Sequence, residues 1–196
     1  LRDDNTYGDA QSDAFRRDLT INGLFYDLST YSVVDYVGGI QDLHDRIIRI
    51  IGDPDQRYLE DPVRMIRVIR HAARTGFKID QNTYDAIRRS VDHIASCPKS
   101  RIFEEFLKEM RYGTALESFR LLNETGLLHY IVPQIAKALN SDPEKSWQSM
   151  ELALKAMDRA AKLDKELPAS ILFAGLYIGT VSASEIQGKC EVVGGI

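Results

Sequence analysis

The order of apolar and polar positions divides the chain into a short mixed stretch and a long helical one. Residues 1–15 are polar, with Asp3, Asp4, Asp9 and Asp13 and little periodicity, and read as a loop. Residues 19–28 are apolar but too short for periodicity to separate helix from strand. Tyr31 to Val37 carries Val33, Val34 and Val37 beside aromatics and reads as a strand ended by a turn at Gly38-Gly39. Ile47 to Ile51 is a second β-branched run, stopped by Gly52-Asp53-Pro54. Two such strands with helical material between them suggest the edge of a small mixed sheet.

From Pro54 onward the pattern turns helical and stays so. Residues 56–75 form one amphipathic pattern, and residues 101–112 place Ile102, Phe103, Phe106, Leu107 and Met110 on one apolar stripe. Thr114 and Glu117 have the spacing of a capping box, and Gly126 stops the helix they open. Ser141 and Glu144 repeat that start signal with Pro143 in the first turn, and Trp147, Met150, Leu154, Met157 and Ala161 follow at alternating three- and four-residue steps. Residues 168–178 form a shorter apolar helix. The expected fold class is mainly α, a small α/β piece followed by an all-helical region.

Composition adds few constraints. At 196 residues the chain is one large domain or two small ones. No run approaches the roughly 18 apolar residues of a membrane span, so no membrane partner is expected. Cys97 and Cys190 cannot build a disulfide framework, so a reducing, cytoplasmic setting with no disulfide partner is expected. The net charge of −4 would argue against a polyanion partner, but it is an average. Residues 1–45 hold 3 Lys/Arg against 9 Asp/Glu, residues 46–89 hold 10 against 6, and residues 90–196 hold 12 against 14.

Two stretches carry candidate chemistry. In Arg16-Arg17-Asp18-Leu19-Thr20-Ile21-Asn22, two guanidiniums and a carboxylate precede an apolar segment. Arginine forks suit phosphate and ribose oxygens, and a carboxylate can hold Mg2+. On the residues alone, the simpler reading is an exposed ion pair at a helix start, with Asp18 or Thr20 as its cap. In the second stretch, Glu60, Arg64, Arg67, His71 and Arg74 fall near one line of a helix, flanked by Asp61 and Arg70. Met65, Ile66, Ile69, Ala72 and Ala73 lie opposite, and Pro62 belongs in the first turn. After Asp61 the stripe is purely arginine, with no acid at i+4 to relieve repulsion, so it calls for anionic or planar partners. Asp61 and Arg64 together present an acceptor and a fork of donors, the equipment for reading a base edge. The four histidines show no metal-ligand spacing, Gly38-Gly39 lacks a phosphate-binding fingerprint, and Trp147, Met150 and Met157 read as core.

Taken together, these stretches resemble the signature of the bacterial class II nucleotidyltransferases, the poly(A) polymerases and CCA-adding tRNA nucleotidyltransferases. RRDLTIN (16–22) resembles the RRDxTIN element, and DYVGGIQDL (35–43) the flexible D-x-x-G-G-x-x-D-L element. Residues 46–79 resemble the G-x-P-x-x-R-x-x-E-D-x-x-R-M-x-R-x-x-R element. Pro62 after Glu60-Asp61 and the continuation Arg101-Ile-Phe-Glu-Glu105 look more like poly(A) polymerases than CCA-adding enzymes.

The resemblance implies template-independent addition of AMP from ATP to RNA 3′ ends, assisted by Mg2+. Asp18 would be the catalytic carboxylate, assisting metal binding or the ribose. Arg17 would contact the incoming nucleotide, Asp61 and Arg64 would face its base, and Arg67 and Arg70 would serve the base or triphosphate. Residues 1–52 would be the trailing part of a nucleotidyltransferase head, 53–133 a helical, nucleotide-selecting neck, and 134–196 the start of an RNA-binding body. The family's glycine-rich first element and its D-x-D metal ligands have no counterpart here, since Asp3-Asp4 has the surroundings of the segment before RRD. The chain, which opens on Leu1 and closes on Glu191-Val-Val-Gly-Gly-Ile196, therefore reads as a piece of a longer enzyme and is expected to be inactive alone. CCA addition to tRNA is the alternative within the class, and a non-catalytic RNA- or nucleotide-binding module the alternative outside it.

Overall fold

A computed structural model describes residues 9–141, 143–163 and 168–180. The expected loop at residues 1–8, the position after Ser141 and Cys190 lie outside the described residues. Among these there are eleven α-helices and two two-stranded sheets, so the fold is mainly α, as the sequence indicates. The chain forms two compact units, Leu1–His93 and Ile94–Ile196. Their boundary falls inside the segment assigned above to the neck. Among the described residues, no helix is long and apolar enough to cross a membrane.

The first unit departs from the expected loop at once. Helix α1 spans Ala10–Arg16, with the Asp9 carboxylate accepting the Ser12 N–H at 2.8 Å as its N-cap. Only Ala14 is buried in it, so no apolar stripe marked the helix in the sequence. A 3-10 turn over Thr20–Asn22 then leads into β1 (Leu24–Asp27), which pairs antiparallel with β2 (Ser32–Asp35). The β2 strand ends short of Val37 because Asp35 turns its carboxylate onto the N–H groups of Val37, Gly38, Gly39 and Ile40. These four bonds hold the Asp35 pKa below its usual value against the opposing effect of burial. They also start α2 (Gly39–Asp45), entered through the left-handed Gly38.

The expected mixed sheet is instead two separate pairs. Strand β3 is only Ile47–Ile48, and it runs parallel to β4 (Lys78–Ile79), a strand inside the region expected to be wholly helical. Beyond β3 the chain pairs with the RRD segment. Thr20 donates to the Arg49 carbonyl at 3.0 Å and Ile51 to the Asp18 carbonyl at 2.9 Å, flanking a Leu19–Ile50 bridge.

The amphipathic stretch 56–75 is likewise not one helix. Helix α3 (Pro54–Glu60) is capped by Asp53, and α4 (Val63–Thr75) begins after Pro62. Asp61 between them is extended, with φ −148 and ψ 94. A residue before proline is pushed out of the helical region, and proline has no N–H to continue the ladder. Helix α4 buries Met65, Ile66, Ile69, Ala72 and Ala73, the expected apolar face, together with Val63 and Val68, and stops at Gly76 in the left-handed region. Helix α5 (Gln81–Ser90) follows, capped by Asp80.

The described residues of the second unit form helices and no strand: α6 (Lys99–Arg111), α7 (Ala115–Thr125), α8 (Leu127–Ile131), α9 (Pro133–Ser141), α10 (Pro143–Lys162) and α11 (Ala169–Thr180). Phe106, Met110, Phe119, Leu122, Leu139, Met150, Leu154 and Met157 form its core. Phe103, read as part of the buried stripe, is 46% exposed and stacks on Phe173. The two start signals are satisfied differently from the expectation. Ser141 donates back to the Ala138 carbonyl at 2.8 Å. Thr114 precedes α7 without capping it, and its hydroxyl is buried with no partner. The cap comes from Asp158 on α10, whose carboxylate accepts Ala115 N–H at 2.6 Å and Leu116 N–H at 3.3 Å.

Three substitutions test these contacts, all read by urea unfolding. Asp158→Ala should cost about 1–2 kcal/mol through the lost cap, whereas Thr114→Val should stay within ~0.5 kcal/mol of the parent, since no hydrogen bond is lost. A Cβ at Gly39 would collide with the Thr20 carbonyl oxygen. Gly39→Ala should therefore destabilise by about 2–3 kcal/mol.

Candidate functional site

The backbone pairing of residues 18–20 with 49–51 brings the RRD segment alongside the end of α3 and the start of α4. Asp18 meets two of the four α4 arginines there. Its Oδ1 accepts Arg64 Nε at 2.9 Å and its Oδ2 accepts Arg67 Nη1 at 2.7 Å. Burial alone would raise the Asp18 pKa, but the bonds and charges of Arg67 and Arg64 outweigh it and hold the carboxyl below its ordinary value. Arg64 also gives Nη1 to the Arg57 carbonyl at 2.9 Å and to Glu60 Oε2 at 2.8 Å. The arginine stripe therefore has acids on both sides. Glu60, one turn earlier, and Asp18, 46 residues away in sequence, relieve the repulsion that the sequence left unbalanced.

Arg57 joins these four. Its Nη2 donates to the Arg16 carbonyl at 3.0 Å and the Arg17 carbonyl at 2.7 Å, and its Nη1 to Glu60 at 3.2 Å. His71, one turn beyond Arg67, faces the same charges. Burial, then the Arg70 and Arg74 charges, push its pKa down to about 4, against a pull from Asp18, so it is neutral near pH 7.

The structure thus brings Asp18, Arg64 and Arg67 into contact. The other expected site residues have separate engagements. Arg17 binds Asp13 through Nε at 3.2 Å and Nη2 at 3.0 Å, donates Nη1 to the Asn22 carbonyl, and lies 5.0 Å from the Phe25 ring centroid. Asp61 stands at the elbow between α3 and α4, where its Oδ1 accepts the Val63 N–H at 3.3 Å. Arg70 is half-buried on α4 and contributes to the field on His71.

Sequence reasoning gave no role to Arg57, nor to the buried network that joins the RRD and D-x-x-G-G elements. Thr20 donates to Asp42 Oδ2 at 2.7 Å, Arg49 Nε donates to the same oxygen at 3.1 Å, and Arg49 Nη1 bridges to Asp80 Oδ1 at 2.6 Å. Asp42 is buried. The available signal was that Thr20 and Asp42 both sit in the quoted motif strings, as does Arg57. Among the described residues no group of three His, Cys, Asp or Glu side chains could hold a metal ion. Asp18 has both oxygens on guanidinium groups, surroundings that repel a divalent cation, so these residues do not fit a Mg2+ site.

Comparison with known proteins matches two segments of the chain, on either side of the arginine helix. Residues 2–49 match the poly(A) polymerase head domain, and residues 76–139 match a segment described as the probable RNA- and SrmB-binding site of polymerase A. The chain is 38% identical over 175 residues to poly(A) polymerase I of Escherichia coli, covering 89% of this chain and 38% of that protein. It is 33% identical to the Haemophilus influenzae enzyme of the same name, covering 89% and 39%. A CCA-adding enzyme of Bacillus licheniformis is 39% identical over 120 residues, covering 60% and 29%. The chain therefore spans well under half the length of these relatives.

Among solved structures, a tRNA nucleotidyltransferase complexed with a primer tRNA and an incoming ATP analogue has TM-score 0.63 at 25% identity, covering 86% of this chain and 49% of that one. The Thermotoga maritima CCA-adding enzyme complexed with tRNA has TM-score 0.62 at 17% identity, covering 94% and 51%, a likeness of fold. With two domain matches in chain order, sequence relatives over most of its length and the same fold, the chain belongs to the nucleotidyltransferase family of bacterial poly(A) polymerases and CCA-adding enzymes.

Proposed function

We propose that the full-length protein adds AMP from ATP to RNA 3′ ends, and that this chain supplies the surface that selects the nucleotide. The observation that carries this reading is the convergence of Asp18 with Arg64 and Arg67, which joins two motif elements 46 and 49 residues apart in one half-buried site. In this reading Asp18 acts by orienting the arginines. It holds Arg64 by Nε, so that the outer amino group, Nη2, and the Asp61 carboxylate can address the hydrogen-bonding edge of adenine. Arg67 and Arg70 serve the base or triphosphate, and Arg17 the ribose or phosphates. Fixed donors at a half-buried site stabilise charge developing on phosphate without reorganising during the reaction. No metal ligand is assigned to this chain, and on its own it is expected not to incorporate ATP.

The poly(A) polymerase relatives, matched over 89% of the chain, favour AMP addition. CCA addition is the second reading, favoured by the CCA-adding relative at 39% identity over a shorter span. Incorporation assays of the full-length protein on an RNA primer separate the two, since CCA addition requires CTP to be incorporated as well as ATP. Arg64→Ala in that protein should lower kcat/KM for ATP by about tenfold, the worth of one charge-assisted hydrogen bond to the base, and leave RNA affinity unchanged. Equal losses in both would make the arginine stripe a surface for RNA backbone.

The neutral state of His71 gives a pH test on this chain. Its folded pKa of about 4 lies below the ordinary 6.5, so between these values the unfolded chain binds the proton that the folded chain refuses. The stability it contributes is present above pH 6.5 and is lost as the pH falls toward 4. Urea midpoints across that window should decline for the parent chain and decline less for His71→Gln.

A further inference from the structure

We propose that Arg57 is a positioning residue for nucleotide choice, acting through Arg64, Asp61 and the RRD segment without touching the nucleotide. The proposal rests on the nucleotidyltransferase reading above. Arg57 lies in the last turn of α3 with its side chain only 14% exposed, and it works in two directions. Outward, its guanidinium spans both RRD carbonyls, Arg16 and Arg17, and the Glu60 carboxylate, with Asp18 Oδ1 4.0 Å away. Inward, its own carbonyl accepts Arg64 Nη1 at 2.9 Å and the Asp61 N–H at 3.2 Å. The two residues that would read the base edge therefore hang from one peptide group. The side chain of the same residue fixes the turn that carries Asp18.

One further detail points to geometry as the reason for this residue. Arg57 Nε is buried and has no hydrogen-bond partner. A buried donor left unmade is costly, so the fork is held where its two amino groups meet their acceptors and not where every donor is satisfied. A lysine offers the same charge but a single ammonium, which cannot span two carbonyls and a carboxylate as a planar fork does.

The test uses the full-length protein with Arg57→Lys and Arg57→Ala, measuring ATP and CTP incorporation on an oligo(A) primer, oligo(A) affinity and thermal melting. With Arg57→Lys, KM for ATP should rise about tenfold and the kcat/KM preference for ATP over CTP should shrink by a similar factor, as charge-assisted bonds to Arg64's support are lost. Oligo(A) affinity should not change, and added guanidinium ion should restore part of the preference in Arg57→Ala. An unchanged KM and preference in both variants, or loss of fold in both, would make Arg57 structural only and overturn the proposal. Should only the alanine variant fail to fold, the lysine variant decides. Failure of the parent protein to incorporate either nucleotide overturns the reading of function instead, and is read before any variant.

Discussion

Two guanidiniums three residues apart on one helix, with Arg64 14% and Arg67 31% exposed, cannot rest side by side on a half-dry surface without a counter-charge. Asp18 is that counter-charge. It is itself mostly out of water, and neither partner would be stable there alone. Desolvating a carboxylate costs several kcal/mol and is offset only when good geometry satisfies both oxygens. The Asp18 oxygens are each taken by a different arginine, and the backbone around it is pinned by the Ile51 N–H and the Arg57 fork. The position of α4 against the RRD segment thus depends on charge as much as on the apolar face of Met65, Ile66 and Ile69.

A second layer supports the first. Asp42, buried in α2, gathers the Thr20 hydroxyl and Arg49, and Arg49 carries the link on to Asp80, the N-cap of α5. Gly39 lies so close to the Thr20 backbone that no side chain fits between them. The D-x-x-G-G element is fastened twice: by Asp35 to four successive N–H groups and by Gly39 to the segment it faces.

Local periodicity made α6, α10, α11 and the apolar face of α4 legible in the sequence, because each needs only residues three and four apart. What escaped it depends on distant partners or on weak local patterns. Helix α1 buries a single alanine and so has no stripe to detect. Thr114 and Glu117 had the right spacing for a cap, but Asp158, 43 residues away, took the role. The break at Asp61 was readable from the proline that follows it, yet the charged stripe continues in register across the elbow and hides it. At the site the arginine line was visible from helix geometry, while its counter-ion Asp18 appeared only as a neighbouring motif. Arg57 was visible only as a letter in a motif, because its work is done on backbone carbonyls that carry no sequence signal.

The elbow at Asp61-Pro62 has a consequence for which changes in length the chain can absorb. Arg57 and Glu60 stand on one side of it and Arg64 and Arg67 on the other, and the three arginines converge on the turn that carries Asp18. Adding a single residue at the elbow would shift α4 against α3 and take Arg64 out of register with both Asp18 and the Arg57 carbonyl, which it now reaches together. The loop at 28–31 between β1 and β2 carries no such load, for its residues are exposed and its Asp27 bonds are local. Homologous sequences aligned on this fold should therefore vary in length at the hairpin tip and keep a fixed count between Arg57 and Arg67.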